Sequence, residues 1–99
     1  MTTLLTLDGE LTVFTAEAHK QRLLAALSGD NELVIDVSGA SEVDGAGWQL
    51  LLAAQKAAEA SGGGLTLQSA TPALIEVLRL TDSLGDFRLT APIQPEEHA

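Results

Sequence analysis

The chain has 99 residues, 45% of them hydrophobic but only 3% aromatic, and its 14 acidic side chains against 5 basic ones give a formal net charge of −9. This suits one small domain whose core is built from Leu, Val, Ile and Ala, and it is too apolar for disorder. The charge excludes binding to nucleic acid or an anionic membrane, which needs clustered Lys and Arg, and the absence of Cys excludes disulfides, thiolate nucleophiles and thiolate metal sites.

At the N-terminus, MTTLLTLDGE has no basic leader, and no apolar run in the chain approaches the roughly 20 residues of a bilayer span, so a soluble, cytoplasmic protein without direct membrane insertion is expected. Residues 2 to 14 alternate weakly around Asp8-Gly9, a turn-forming pair, and predict a β-hairpin. Thr15 then caps an amphipathic helix that ends at Ser28-Gly29-Asp30. Leu33-Val34-Ile35-Asp36-Val37 is a continuous apolar run rich in β-branched residues, as for a central strand buried on both faces.

A second helix begins at Asp44 or Gly45 and ends at Ser61-Gly62-Gly63-Gly64. Leu65 to Gln68 is a further strand, and Thr71-Pro72 opens a third helix that runs to about Leu80, with Pro where its missing N–H does no harm. Phe87-Arg88-Leu89 is a candidate edge strand. The expected organisation is a domain over residues 1–90 and a flexible tail over 91–99, with the order β-β-α-β-α-β-α(-β). Such alternation calls for an α/β fold with helices packed on a sheet.

The loop into the second helix, SEVDGAG, is the kind of helix entrance that often holds phosphate or carries a nucleophile. Glu10, Asp36, Glu42 and Asp44 supply carboxylates, but His19 and His98 lie far from them in sequence, so Asp44 reads as a helix cap and no catalytic residue is assigned. Neither His pairs with a second ligand at a useful spacing, so no metal site is assigned, and His19 reads as a solvated helix residue. Gly45-Ala46-Gly47 lacks both the third glycine of a dinucleotide fingerprint and the Gly-Lys-Ser/Thr of a phosphate loop, so no cofactor is expected; the small residues let the helix lie close to the sheet.

On the second helix, Gly47, Leu50, Leu51, Ala54, Ala57 and Ala58 gather on one side as a core face, opposite Gln49, Lys56 and Glu59. Trp48 and Leu52 fall beside the polar face. They are either anchors for a partner or are covered by a neighbouring loop or helix.

Val34-Ile35-Asp36-Val37-Ser38-Gly39-Ala40, then Val43-Asp44-Gly45-Ala46-Gly47 and the Leu-rich helix, resemble the signature of STAS domains of the anti-sigma factor antagonist type. Residues 77–87, VLRLTDSLGDF, resemble the family's closing helix and the segment after it. The resemblance implies a single mixed β-sheet flanked by α-helices and no catalytic activity. It also implies a bacterial protein that binds an anti-sigma factor, commonly a kinase-fold regulator, and is switched off by phosphorylation of a Ser or Thr before the second helix. Alignment on Asp44 and Gly47 puts Gly45 and Ala46 at the two hydroxyl positions, with Ala46 at the phosphosite, and neither can accept phosphate.

Three functions follow from the resemblance. One is an antagonist without the usual switch. Another is a STAS adaptor in a chemosensory signalling or lipid-transport ATPase complex. The third is an enzyme or small-ligand binder on the same fold, which the absence of convergent polar groups disfavours. The expectation is a protein-binding regulatory module whose contacts come from Ser38, Ser41, Asp44, Gly45, Ala46, Gly47, Trp48 and Leu52.

Overall fold

A computed structural model describes residues 2–27 and 32–90. Its elements are β1 (Thr2–Thr6), β2 (Gly9–Leu11), α1 (Ala16–Ala26), β3 (Glu32–Asp36), β4 (Ala40–Val43), α2 (Gly45–Ala60), β5 (Gly64–Gln68), α3 (Pro72–Leu80), a 3-10 turn (Leu84–Asp86) and β6 (Arg88–Thr90). The stop expected at residues 28–30 and the tail at 91–99 lie outside the described residues.

The α/β class with flanking helices holds, with a pairing that differs in detail. Four strands form one sheet in the order β1-β3-β5-β6, and β2 and β4 form a short second ladder. Every pairing among the described residues is parallel, so the sheet is not mixed. The two ladders follow one another, because Leu7 N–H donates to the Asp36 carbonyl (3.0 Å) and Gly9 N–H to the Gly39 carbonyl (2.9 Å).

Residues 2–14 therefore do not form a hairpin. The favoured two-residue reversals all need positive φ at the first central residue, and here Asp8 lacks it although Gly9 has it (φ 76°). The chain bends at Asp8-Gly9 and runs on in the same direction, since β1 finds a five-residue parallel partner in β3, from Thr2 opposite Glu32 to Thr6 opposite Asp36.

β3 is not buried on both faces. Along β3 and β5 burial alternates: Leu33, Ile35, Leu65 and Leu67 are buried, whereas Val34, Asp36, Thr66 and Gln68 are half-exposed. The helices cover one face, where Leu7, Leu23, Leu51, Leu74 and Leu78 complete a core of fully buried side chains, each worth roughly 1.5–3 kcal/mol of burial. On the open face, Arg88 reaches across Gly64 to Glu32 at 2.9 Å.

The sequence-derived caps hold for two helices. Asp44 accepts from Gly47 N–H at the start of α2 (3.0 Å), and Thr71 from Leu74 N–H at the start of α3 (3.3 Å), with Pro72 in the first turn. At α1, Thr15 sits at the cap position, but its hydroxyl donates back to the Glu10 carbonyl at 2.6 Å instead of accepting from the helix.

Candidate protein-binding site

The corner where β4 enters α2 is built around Asp44. One carboxylate oxygen takes the Gly47 N–H at 3.0 Å; the other takes the Val13 N–H at 3.0 Å, across 31 residues of sequence. Asp44 N–H in turn donates to the Leu11 carbonyl at 3.1 Å. These contacts fasten the start of α2 to the loop between β2 and α1. The Gly47 bond first, then the Val13 bond, hold the carboxyl below the ordinary value of 3.8, because hydrogen bonds to the ionised form favour it.

Gly47 shows why a side chain is not accommodated there: a Cβ would stand 2.0 Å from the Leu11 carbonyl oxygen. The close approach of helix to strand expected from the small residues is present. Gly45 is exposed, and Ala46, at the aligned phosphosite, is half-buried on the first turn of α2.

Ser41 is the extra residue of a bulge, since Gly9 pairs with Ala40 but Glu10 pairs with Glu42. Such irregularities re-aim side chains, and Ser41 faces solvent. Ser38 is also exposed, and its N–H caps Asp36 Oδ1 at 2.9 Å, which chiefly lowers the Asp36 pKa below 3.8. Ser38, Ser41, Asp44, Gly45, Ala46 and Gly47 thus follow one another along the turn before β4, β4 itself and the start of α2.

Trp48 and Leu52 stand differently. Both are half-buried and packed against the core, and Trp48 Nε1–H donates to Ser83 Oγ at 3.0 Å. Leu52 shares a shallow surface groove with Gly85 and Asp86 of the 3-10 turn. The segment after α3 lies against Trp48 and borders Leu52, and both side chains keep part of their surface exposed. On the same helix Gln55 is buried and Ala57 exposed, whereas the periodicity put Ala57 on the core face.

His19 is a correction. It is only 8% exposed, and its Nε2–H donates to the Glu10 carbonyl at 2.8 Å, leaving Nδ1 buried without a partner. The signal was present: His19, Leu23 and Leu27 repeat every four residues, which aligns them along one face of α1.

The residues missed by the sequence reading are Val13 and Phe14, 63% and 90% exposed beside this corner. Phe14 directly precedes the cap position of α1, where an apolar residue often packs onto the fourth residue of the helix. That residue here is His19, which faces inward, so Phe14 is left outside the core.

No group of His, Cys, Asp and Glu suited to a metal occurs among the described residues, and no helix among them is long and apolar enough to cross a membrane. Residues 1–87 match the family model described as "Mlab, STAS domain". No protein of curated function matches the sequence significantly. Among solved structures, a crystal structure of a protein described as an anti-sigma factor antagonist from Thermotoga maritima aligns with a TM-score of 0.83 at 22% identity, covering 93% of this chain and 80% of that one. The anti-sigma factor antagonist SpoIIAA in its unphosphorylated form aligns with a TM-score of 0.75 at 19% identity, covering 96% and 83%. The phosphorylated form of the Bacillus protein SpoIIAA aligns with a TM-score of 0.68 at 22% identity, covering 96% and 86%.

Proposed function

The chain belongs to the STAS domain family, and from that premise we propose that it is a non-catalytic, cytoplasmic regulatory module of bacterial signalling that works by binding another protein. The partner is an anti-sigma factor or a similar kinase-fold regulator, and the docking surface is the corner formed by Ser38 to Gly47 with the first turns of α2. The observation that carries this reading is the start of α2 itself: its cap, Asp44, is fixed by two backbone N–H groups, while the exposed Gly45 and half-buried Ala46 beside it present neither a hydroxyl nor a bulky side chain.

A relative of this fold exists in a phosphorylated and an unphosphorylated form. Phosphate adds nearly two negative charges where a partner docks, and the aligned Gly45 and Ala46 cannot carry it. The module is then always competent to bind, and control over it lies in its partner or in its abundance. The same lack of a hydroxyl favours a second reading, a STAS adaptor subunit in a chemosensory or lipid-transport ATPase complex.

Purification of the tagged protein from its own cells, with mass spectrometry of what accompanies it, separates the two readings. Recovery of a small kinase-fold regulator supports the first, and recovery of chemosensory or transporter proteins the second. Ala46→Glu supplies the control. A carboxylate in the first turn of a helix favours the helix, so the variant is expected to stay folded and lose its partner. Unaltered recovery would remove this loop from the interface.

A further inference from the structure

We propose that Phe14, with Val13 beside it, is the anchor of the docking surface at the start of α2, and that the partner offers it an apolar pocket rimmed by lysine and arginine. The inference rests on the reading that this corner binds protein, and adds to it a residue and a partner chemistry.

Phe14 is 90% exposed and belongs to no part of the core. An aromatic ring held in water contributes nothing to folding, yet aromatic rings dominate binding energy once they enter a pocket. The other strongly exposed apolar side chains are elsewhere: Leu4 on β1, Leu24 on α1 and Leu80 at the end of α3.

The loop that carries Phe14 is tied down. Val13 N–H is held by Asp44, Phe14 N–H donates to Thr12 Oγ1 at 3.3 Å, and Thr12 N–H donates to Thr15 Oγ1 at 3.1 Å. Thr15 Oγ1 donates on to the Glu10 carbonyl, which also receives His19 Nε2–H. A partner therefore meets a ring on backbone already in place, and little ordering entropy opposes binding. Because the tie runs through the cap of α2, the backbone next to Phe14 is held beside the start of the helix that bears Gly45 and Ala46.

The charge around that surface has one sign. Asp8, Glu10 and Glu17 lie in the bend before β2, on β2 and in the first turn of α1, on either side of Phe14 in sequence, and Glu42 and Asp44 lie on the neighbouring strand and at its corner. Residues 8–17 and 36–47 contain no Lys or Arg; the five cations are Lys20, Arg22, Lys56, Arg79 and Arg88. Glu10 and Glu42 stand directly opposite each other in the β2–β4 ladder, both exposed. Like charges across a ladder destabilise it, and lysine or arginine from a partner would relieve that repulsion while steering the encounter.

The test places the photocrosslinker p-benzoylphenylalanine at Phe14, at Ser41 in the corner and at Leu24 on α1 as control, in the full chain in its own cells, and maps the crosslinked peptides by mass spectrometry. Expected is one protein caught from Phe14 and Ser41 and not from Leu24, with the peptide joined to position 14 containing Lys or Arg and, when the crosslink is repeated with that partner purified, the yield falling as salt is raised. Against that purified partner, Phe14→Ala is expected to weaken affinity about 30-fold, as for an interface anchor, with the melting temperature unchanged. Capture from Ser41 without capture from Phe14 would overturn the inference and leave the binding corner standing. Capture through a peptide without cations, or one indifferent to salt, would overturn the partner chemistry, and capture from neither position would overturn both the inference and the function it rests on.

Discussion

Replacing Gly47 by Ala tests how the corner at the start of α2 is held. The new Cβ would lie 2.0 Å from the Leu11 carbonyl oxygen and 2.7 Å from its carbon, where ordinary contact begins at 3.4 Å. Helix and strand must then separate by roughly 1.4 Å, the difference between those oxygen distances. The obstacle is backbone, and the same carbonyl accepts the Asp44 N–H, so it cannot turn aside without losing that bond. Overpacking of this kind costs about 1–3 kcal/mol and occasionally more, against about 1 kcal/mol that Ala gains over Gly in a helix. Because the obstacle is backbone the cost falls at the top of that range, about 3 kcal/mol, which leaves a net loss of about 2 kcal/mol, or about 10 °C in melting temperature for a domain of this size.

Gly45→Ala is the matched control. Nothing lies within 4 Å of a Cβ there, so the same change is expected to be neutral or to stabilise by up to about 1 kcal/mol. Thermal and urea unfolding followed by circular dichroism measure both, with an unchanged denaturant slope showing that stability alone has moved. If Gly47→Ala proved as stable as Gly45→Ala, the close approach of α2 to β2 would not be what places this corner.

Two further outcomes are expected. Trp48→Phe keeps the ring in its half-buried place but removes the bond to Ser83 Oγ, which retains Thr81 Oγ1 and the Leu78 carbonyl as partners; the loss should be about 1 kcal/mol, and a double-mutant cycle with Ser83→Ala should show coupling, whereas simple additivity would mean that packing alone holds the indole. Asp44→Asn should lower stability at neutral pH but not in acid: the carboxyl pKa is below 3.8 in the folded chain, so its contribution is full above the unfolded value and fades as pH falls through the folded one. Urea midpoints of both proteins between about pH 7 and pH 2 read this out, and a gap that stayed constant across that range would show that the charge on Asp44 plays no part.

Much of the fold was legible because its signals are local. Thr71-Pro72 and Asp44 mark helix starts through bonds that reach three residues, and β3 and β5 are apolar runs bounded by turn residues. β4 was not legible. Ala40–Val43 is four residues long, sits among Ser, Gly and Asp, and pairs through a bulge with a three-residue strand more than 25 positions earlier. Periodicity cannot report such non-local pairing, and without that partner Asp8-Gly9 reads as a reversal. The same limit applies to Trp48 and His19. A helical wheel places them by angle, but Ser83 and the Glu10 carbonyl arrive from other segments.

At the corner itself the sequence showed half of what Asp44 does. A carboxylate has two oxygens, and local reasoning assigns one of them to the helix it caps; the other reaches the backbone of Val13 and sets where Phe14 stands. Two loops far apart in sequence are therefore positioned by one side chain, with Gly47 setting the distance between the strand and helix that bear them. In that arrangement the corner's shape is set by backbone contacts of Leu11, Val13 and Gly47. On the proposed docking surface affinity follows the apolar side chains that project from it, and Phe14 is the most exposed of the large apolar side chains.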